Sequence, residues 1–203
     1  VDRKMRAARK IAQIHTVRIV AVMDDDLLGI DDLVPELVAA VDDIIGKNLM
    51  KDVRYNETID EFRLFQWKGL DNWWSIVMMP VTWRYEMIEA WYPKTSWNLS
   101  PNNITGAYYA ARLAVTEYLQ SIGRSAGVMV FREVHPGYDI PLGVWNIREN
   151  VRAALRTQPY TAESLEGLWP QINAFMDLKK ERWLHNSEIL KDYLIQRRIE
   201  DFY

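Results

Sequence analysis

The chain has 203 residues, 49% hydrophobic and 26% charged, with a formal net charge of −3. That length predicts one domain of generous size, or one domain with appendages, and the composition excludes a disordered or fibrous chain. The absence of cysteine removes disulfide scaffolds, thiol nucleophiles and cysteine-ligated zinc.

In chain order, residues 2–14 read as a helix with Met5, Ala8, Ile11 and Ala12 on one stripe. Residues 15–23 are a β-branched run and read as a buried strand, broken by Asp24, Asp25 and Asp26. A second helix starts after Asp31 or Asp32 and is expected to stop at Gly46. Residues 62–68 and 73–79 alternate around Gly69-Leu70-Asp71-Asn72, which predicts a β-hairpin. Val81, Tyr85, Ile88 and Tyr92 fall at helical spacing up to Pro93. Residues 97–105 read as a polar connection, followed by a helix over 106–122 that Gly123 closes. Its apolar face carries Tyr108, Ala111, Val115, Tyr118, Leu119 and Ile122.

Residues 126–134 are apolar on both faces at their start, which predicts a central strand. After the loop at His135-Pro136-Gly137-Tyr138-Asp139, Pro141 opens a helix reaching about Arg156. The remainder reads as helical, with breaks near Gln158-Pro159 and at Pro170, and a last helix over 177–195. The fold class expected is α+β: a mixed or antiparallel sheet with a central hairpin, packed by several helices, plus a helical C-terminal arm. The organisation expected is a globular domain over 1–176, a C-terminal helix over 177–195 and a tail over 196–203. The nine Trp among 24 aromatic residues are enough to build a sizeable core. No apolar run approaches the roughly 20 residues that cross a bilayer, and no secretory pattern opens the chain. The expectation is a cytoplasmic protein without membrane contact. Because the chain begins at Val1, it is also expected to be a piece of something longer.

The last eight residues run Gln196-Arg197-Arg198-Ile199-Glu200-Asp201-Phe202-Tyr203. A glutamine, an aliphatic residue three later and two aromatics three after that resemble the PIP box that binds the sliding clamp PCNA. One turn of 3₁₀ helix brings i and i+3 to one side. Ile199, Phe202 and Tyr203 would then form an apolar plug for a partner's pocket, with Gln196 bonding at its edge. A free end is also where a docking peptide reaches a partner. The competing reading is an amphipathic helix end whose aromatics tuck back onto the core, as Ile189, Leu190, Leu194 and Ile195 upstream would favour.

The stretch YYAARLAVTEYL, then REVHPGYDIPLGVWNIRENVRAAL, resembles the archaeal Nre family of DNA-repair proteins, in its C-terminal half. The upstream VTWRYEMIEAWYPKTSWN fits the same pattern, so the likeness spans residues 83–155. Membership would imply a role in repair and a PIP-type motif at the C-terminus, which this chain carries. Family members also carry zinc-ligand cysteines in an N-terminal region. This chain has none, so no cofactor is expected in it.

Charged residues gather after the 126–134 strand: Arg132, Glu133, His135 and Asp139. A strand end feeding a helix N-terminus favours anions. Arg148, Arg152 and Arg156 recur every four residues beside an apolar stripe, and Arg112 borders the preceding helix. These five arginines, Arg132 included, are the candidate DNA contacts; the alternative is salt bridging to Glu133, Glu149, Glu86 or Glu89. A basic run at Arg3, Lys4, Arg6, Arg9 and Lys10 would add phosphate contacts or form a solvated face. The acidic pairs near residues 24–32 read as turns and helix caps rather than Mg²⁺ ligands, and His15, His135 and His185 are too far apart in sequence to predict a metal site. The expected function is a repair factor docked on the clamp and contacting DNA. The alternative is a DNA-processing hydrolase using Glu133, His135 and Asp139.

Overall fold

In the computed structural model of the chain, residues 34–93, 96–98, 105–138 and 143–200 are described. In order they form α1 (Val34–Val53), β1 (Phe62–Gly69), β2 (Asn72–Met79), β3 (Arg84–Trp91), β4 (Ser96–Asn98), α2 (Thr105–Ser121), β5 (Gly127–Val134), α3 (Gly143–Leu155), β6 (Tyr160–Ala162), α4 (Leu165–Phe175), α5 (Lys180–Asn186) and α6 (Glu188–Glu200). The expected helix over 2–14 with its basic residues, the strand over 15–23 and the acidic residues 24–32 lie outside the described residues. So do Asp139, Pro141, Phe202 and Tyr203.

The fold is α+β. One mixed sheet of six strands runs in the order β4-β3-β5-β2-β1-β6. β5 is buried at all eight positions and lies parallel to β3 on one side and antiparallel to β2 on the other. Its near-continuous apolar run is what a strand covered on both faces requires. The β1–β2 hairpin forms as its alternation predicts, turning through Leu70 and Asp71, both at φ 53. Two left-handed central residues make the type of turn that matches strand twist.

Each face of the sheet carries its own core. On one side Phe65, Trp74, Ile76, Met87 and Val130 pack against Ala111, Val115 and Leu119 of α2 and Ile147 and Val151 of α3. On the other, Leu64, Val77, Ile88, Met129 and Phe131 pack against Leu168, Trp169 and Ile172 of α4, Trp183 of α5, and Ile189 and Leu190 of α6. Phe131 and Trp183 stack with ring centroids 4.8 Å apart. Among the described residues no helix is long and apolar enough to cross a membrane.

Several elements differ from expectation, each for a physical reason. The segment around Val81 to Tyr92 is strand β3, not a helix: Tyr85 and Met87 face one core and Ile88 and Ala90 the other, so the 3–4 spacing falls on both faces of a strand. β4 occupies part of the expected polar connection. Gly46 does not stop α1, which runs on to Val53. A Cβ there would stand 3.7 Å from the Leu113 backbone, so the glycine marks a close crossing of α1 over α2. β6 interrupts the expected helical run, whereas Pro170 does not break α4. Pro170 is exposed and leaves only a first-turn carbonyl without its donor.

The last helix is split at Ser187. Its hydroxyl caps the Leu190 N–H at 3.0 Å and donates to Glu86 of β3, which also accepts the Glu188 N–H at 2.9 Å. A side chain on the sheet thus satisfies the first N–H groups of α6 and fixes where a new helix begins.

α1 brings two buried carboxylates to the helical layer. Asp43 pairs with Arg112 of α2 at 2.5 Å and with Lys47 at 2.8 Å. Asp42 pairs with Arg148 of α3 at 2.5 Å, its other oxygen lacking a partner. Burial pushes the Asp42 carboxyl above the usual range, against the pull of Arg148. Arg148→Ala is therefore expected to destabilise the fold by about 3 kcal/mol at pH 7, because the carboxylate stays behind unpaired. A group whose folded pKa is raised loses stability as pH rises through it, and removing Arg148 raises it further. The deficit relative to the parent chain should shrink when urea unfolding is repeated at pH 5.

Candidate functional site

The sequence Phe131-Arg132-Glu133-Val134-His135 ends the central strand, and strand alternation sends Arg132 and Glu133 to opposite faces. Both are buried, Arg132 at 4% exposure and Glu133 at 0%. Each becomes the centre of a polar cluster at the same end of the sheet.

On the α1–α3 side, Arg132 donates from Nε to Asn72 at 2.7 Å and from a terminal nitrogen to Glu89. Its guanidinium lies 5.3 Å from the Trp74 ring and 5.2 Å from that of Tyr138. Trp91 donates to Glu89 at 2.9 Å, and Trp67 to Asn150 at 3.0 Å. Asn150 in turn donates to Asn146 at 2.7 Å. The network ties the strand ends to the first turns of α3.

On the α4–α6 side, both Glu133 oxygens accept backbone N–H groups from the α4–α5 linker, Asp177 and Leu178, each at 3.1 Å. His135 Nε2 lies 2.9 Å from Glu133 Oε1. The His135 backbone N–H donates to the Asp71 carbonyl at 2.8 Å, hooking the loop onto the hairpin turn. Gly137 follows: a Cβ there would lie 2.4 Å from the carboxylate of the exposed Asp71, which would have to swing aside. The His135 ring stacks on Trp73 at 4.0 Å and tilts against Tyr92 at 5.1 Å. The other ring nitrogen, Nδ1, stands 4.0 Å from the Asp177 carboxylate, which is 44% exposed. Lys68 Nζ sits 3.3 Å from the Trp73 ring centroid, and since that ring cannot hold both on one face, Trp73 separates the ammonium from the imidazole.

Burial pushes the Glu133 carboxyl above the usual range. The Leu178 and Asp177 N–H groups and His135 pull it down, and the Asp177 carboxylate raises it again. A buried carboxylate accepting from one imidazole nitrogen fixes the ring and leaves the opposite nitrogen with its lone pair. That arrangement suits proton transfer at Nδ1.

Of the expected catalytic set, Glu133 and His135 are brought together; Asp139 lies outside the described residues, and Asp177 stands beside them instead. Asp177 carried no signal in the sequence beyond the start of a helix, and the stacking residues Trp73 and Tyr92 none beyond apolarity. Of the arginines expected on a surface, Arg112 and Arg132 are buried in ion pairs and offer no free fork to solvent. Arg148 holds Asp42. Arg152 holds Glu117 at 2.6 Å and Glu149 at 2.7 Å. Arg156 is exposed, with no ion pair among the described residues. Gln196 and Ile199 fall on the last turns of α6, where the backbone is α-helical through Glu200 rather than a 3₁₀ turn.

The family descriptions "Archaeal Nre, N-terminal" and "Archaeal Nre, C-terminal" match residues 11–98 and 95–202. The likeness is therefore not confined to a C-terminal half. β1, β2 and β3 lie in the first matched segment and β5 in the second, yet β5 sits between β2 and β3. The chain is 33% identical to the DNA repair protein NreB of Archaeoglobus fulgidus over 76% of its length and 44% of that protein. It is 32% identical to the same organism's DNA repair protein NreA over 64% of the chain and 37% of that protein. To the DNA repair protein NreA of Haloferax volcanii it is 33% identical, over 63% and 35%. The chain thus spans less than half the length of these curated relatives. No solved structure matches it. The chain belongs to the archaeal Nre family.

Proposed function

We propose that this protein is a DNA-repair factor that docks on the PCNA sliding clamp through Gln196, Ile199, Phe202 and Tyr203 and works on the DNA the clamp encircles. The repair role follows from the relatives named DNA repair proteins. The clamp reading is carried by the way α6 leaves the body. Ile189 and Leu190 are buried at 5% and 0%, whereas Ile195, one turn and a half later, is 57% exposed. The motif that resembles a PIP box begins at the next residue. Calorimetric titration of the full chain into an archaeal sliding clamp should show binding. Phe202→Ala should weaken it by about tenfold or more, as loss of an aromatic anchor does. Absence of heat with the parent chain, or equal binding by the variant, would contradict the docking.

Tethering raises the local concentration at DNA, so a weak intrinsic affinity suffices. Arg156 is the arginine of the expected stripe left available for phosphate, since Arg148 and Arg152 hold acidic partners. Arg156→Glu is expected to weaken duplex binding and flatten its salt dependence while leaving the melting temperature unchanged. Unaltered affinity and salt slope, measured by fluorescence anisotropy, would remove Arg156 from the interface.

A second reading, hydrolysis of DNA, is favoured by the fixed Glu133–His135 pair, with Asp177 in the place expected of Asp139. Cleavage of branched or damaged duplexes that is lost in His135→Gln would support it. No cleavage across such substrates would leave the protein an adaptor.

A further inference from the structure

We propose that Glu133, His135 and Asp177 form a binding site for a divalent first-row transition cation, with Mn²⁺ or Zn²⁺ preferred over Mg²⁺. Each of the three offers one ligand atom, and these atoms all lie within 4.8 Å of one another. Bonds of about 2.0–2.2 Å from a shared ion place ligand atoms roughly 3–4 Å apart, so a small inward movement closes the set. Two carboxylates and an imidazole match such a dication in charge and in donor type, and the imidazole disfavours the hard, water-retaining Mg²⁺.

Two of the three ligands, Glu133 and His135, are positioned independently of any ion, and the backbone of the third is held beside them. Glu133 is fixed on the central strand and gripped through both oxygens by the N–H groups of Asp177 and Leu178. His135 is pinned by its backbone to Asp71 and by its ring between Trp73 and Tyr92. The N–H that grips Glu133 belongs to Asp177, so one residue sets the carboxylate of Glu133 and supplies its own. Such preorganisation is what a metal site needs and what a chance surface cluster lacks. Asp177 is the exposed member and marks the side from which an ion enters. Without metal, the Glu133–His135 hydrogen bond holds the site together; the cation displaces the proton between them. With three protein ligands the ion keeps open positions for water or an anionic oxygen.

The site is independent of the clamp motif, and its test is separate. The full chain, stripped with a chelator, is titrated with Mn²⁺ followed by electron paramagnetic resonance, and with Zn²⁺ and Mg²⁺ by calorimetry. A single equivalent of Mn²⁺ or Zn²⁺ should bind, Mg²⁺ more weakly, and bound metal should raise the melting temperature. Asp177→Asn, which alters an exposed side chain, should weaken metal binding by about tenfold or more without moving the melting temperature of the stripped protein. His135→Gln should abolish it. His185→Gln removes an exposed imidazole elsewhere and should change nothing. Absence of stoichiometric binding by the parent chain would overturn the proposal. So would parental affinity in both Asp177→Asn and His135→Gln, or loss of binding in His185→Gln. Clamp titration should be indifferent to all three variants.

Discussion

The insertion of β5 between β2 and β3 is the pairing on which the remaining structure depends. Its parallel ladder runs from Arg84–Gly127 to Trp91–Val134, and its antiparallel ladder from Met79–Gly127 to Asn72–Val134. Without it the sheet separates into a hairpin with β6 and a pair of edge strands, and neither core keeps its floor. Val128 and Val130 lie in one core and Met129 and Phe131 in the other, so one strand supplies the middle of both. The same alternation, continued by two residues, sends Arg132 to one face and Glu133 to the other. Each core therefore ends in a buried charge at the same rim of the sheet. The family's two segments meet through this strand, which makes them parts of one folding unit rather than successive domains.

Charges in those layers act as register marks more than as glue. A buried ion pair gives back much of its Coulomb attraction in desolvation, while losing one partner is strongly unfavourable. Asp43–Arg112 and Asp42–Arg148 thus penalise any sliding of α1 against α2 and α3 that apolar contacts alone would tolerate. Sliding by one residue would strand two carboxylates.

Legibility in the sequence follows from how local each signal is. The hairpin was readable because alternation and turn lie within eighteen residues, and β5 because a strand covered on both faces has nowhere to place polar residues. β3 hid behind Glu86 and Glu89. Glu86 is half-buried and Glu89 buried, each against a partner far along the chain, Ser187 and Arg132, and each interrupts the apolar run that would have marked an inner strand. The Arg148–Arg152–Arg156 spacing marked one helical stripe, whereas the acidic partners Asp42 and Glu117 sit on other helices and left no local signal. Glu133 and His135 were visible as neighbours in sequence. Asp177 joins them across 44 positions through a linker whose course depends on how α4 packs, and no local pattern announces it.

The C-terminal helices are seated by two carboxylates, one buried and one half-buried, on adjacent strands of one face. Glu133 of β5 takes the N–H groups of the linker before α5, and Glu86 of β3 takes the hydroxyl and first N–H at the start of α6. The second contact sets a carboxylate at a helix N-terminus, where the macrodipole favours it. Burial raises the Glu86 carboxyl, and the bonds from Ser187 and Glu188 oppose that rise. Between these anchors Trp183 is fully enclosed against Phe131, so the segment cannot peel from the sheet without uncovering a Trp and stripping two carboxylates of their donors. Past Leu190 the contacts thin without ending, since Asp192 pairs with Arg84 at 2.6 Å and Tyr193 packs edge-on against Phe62, and full exposure is reached at Ile195. On the clamp reading the docking motif would then hang from a rigid base by less than one helical turn after Tyr193, and a tether that short confines the protein to a small arc around its partner.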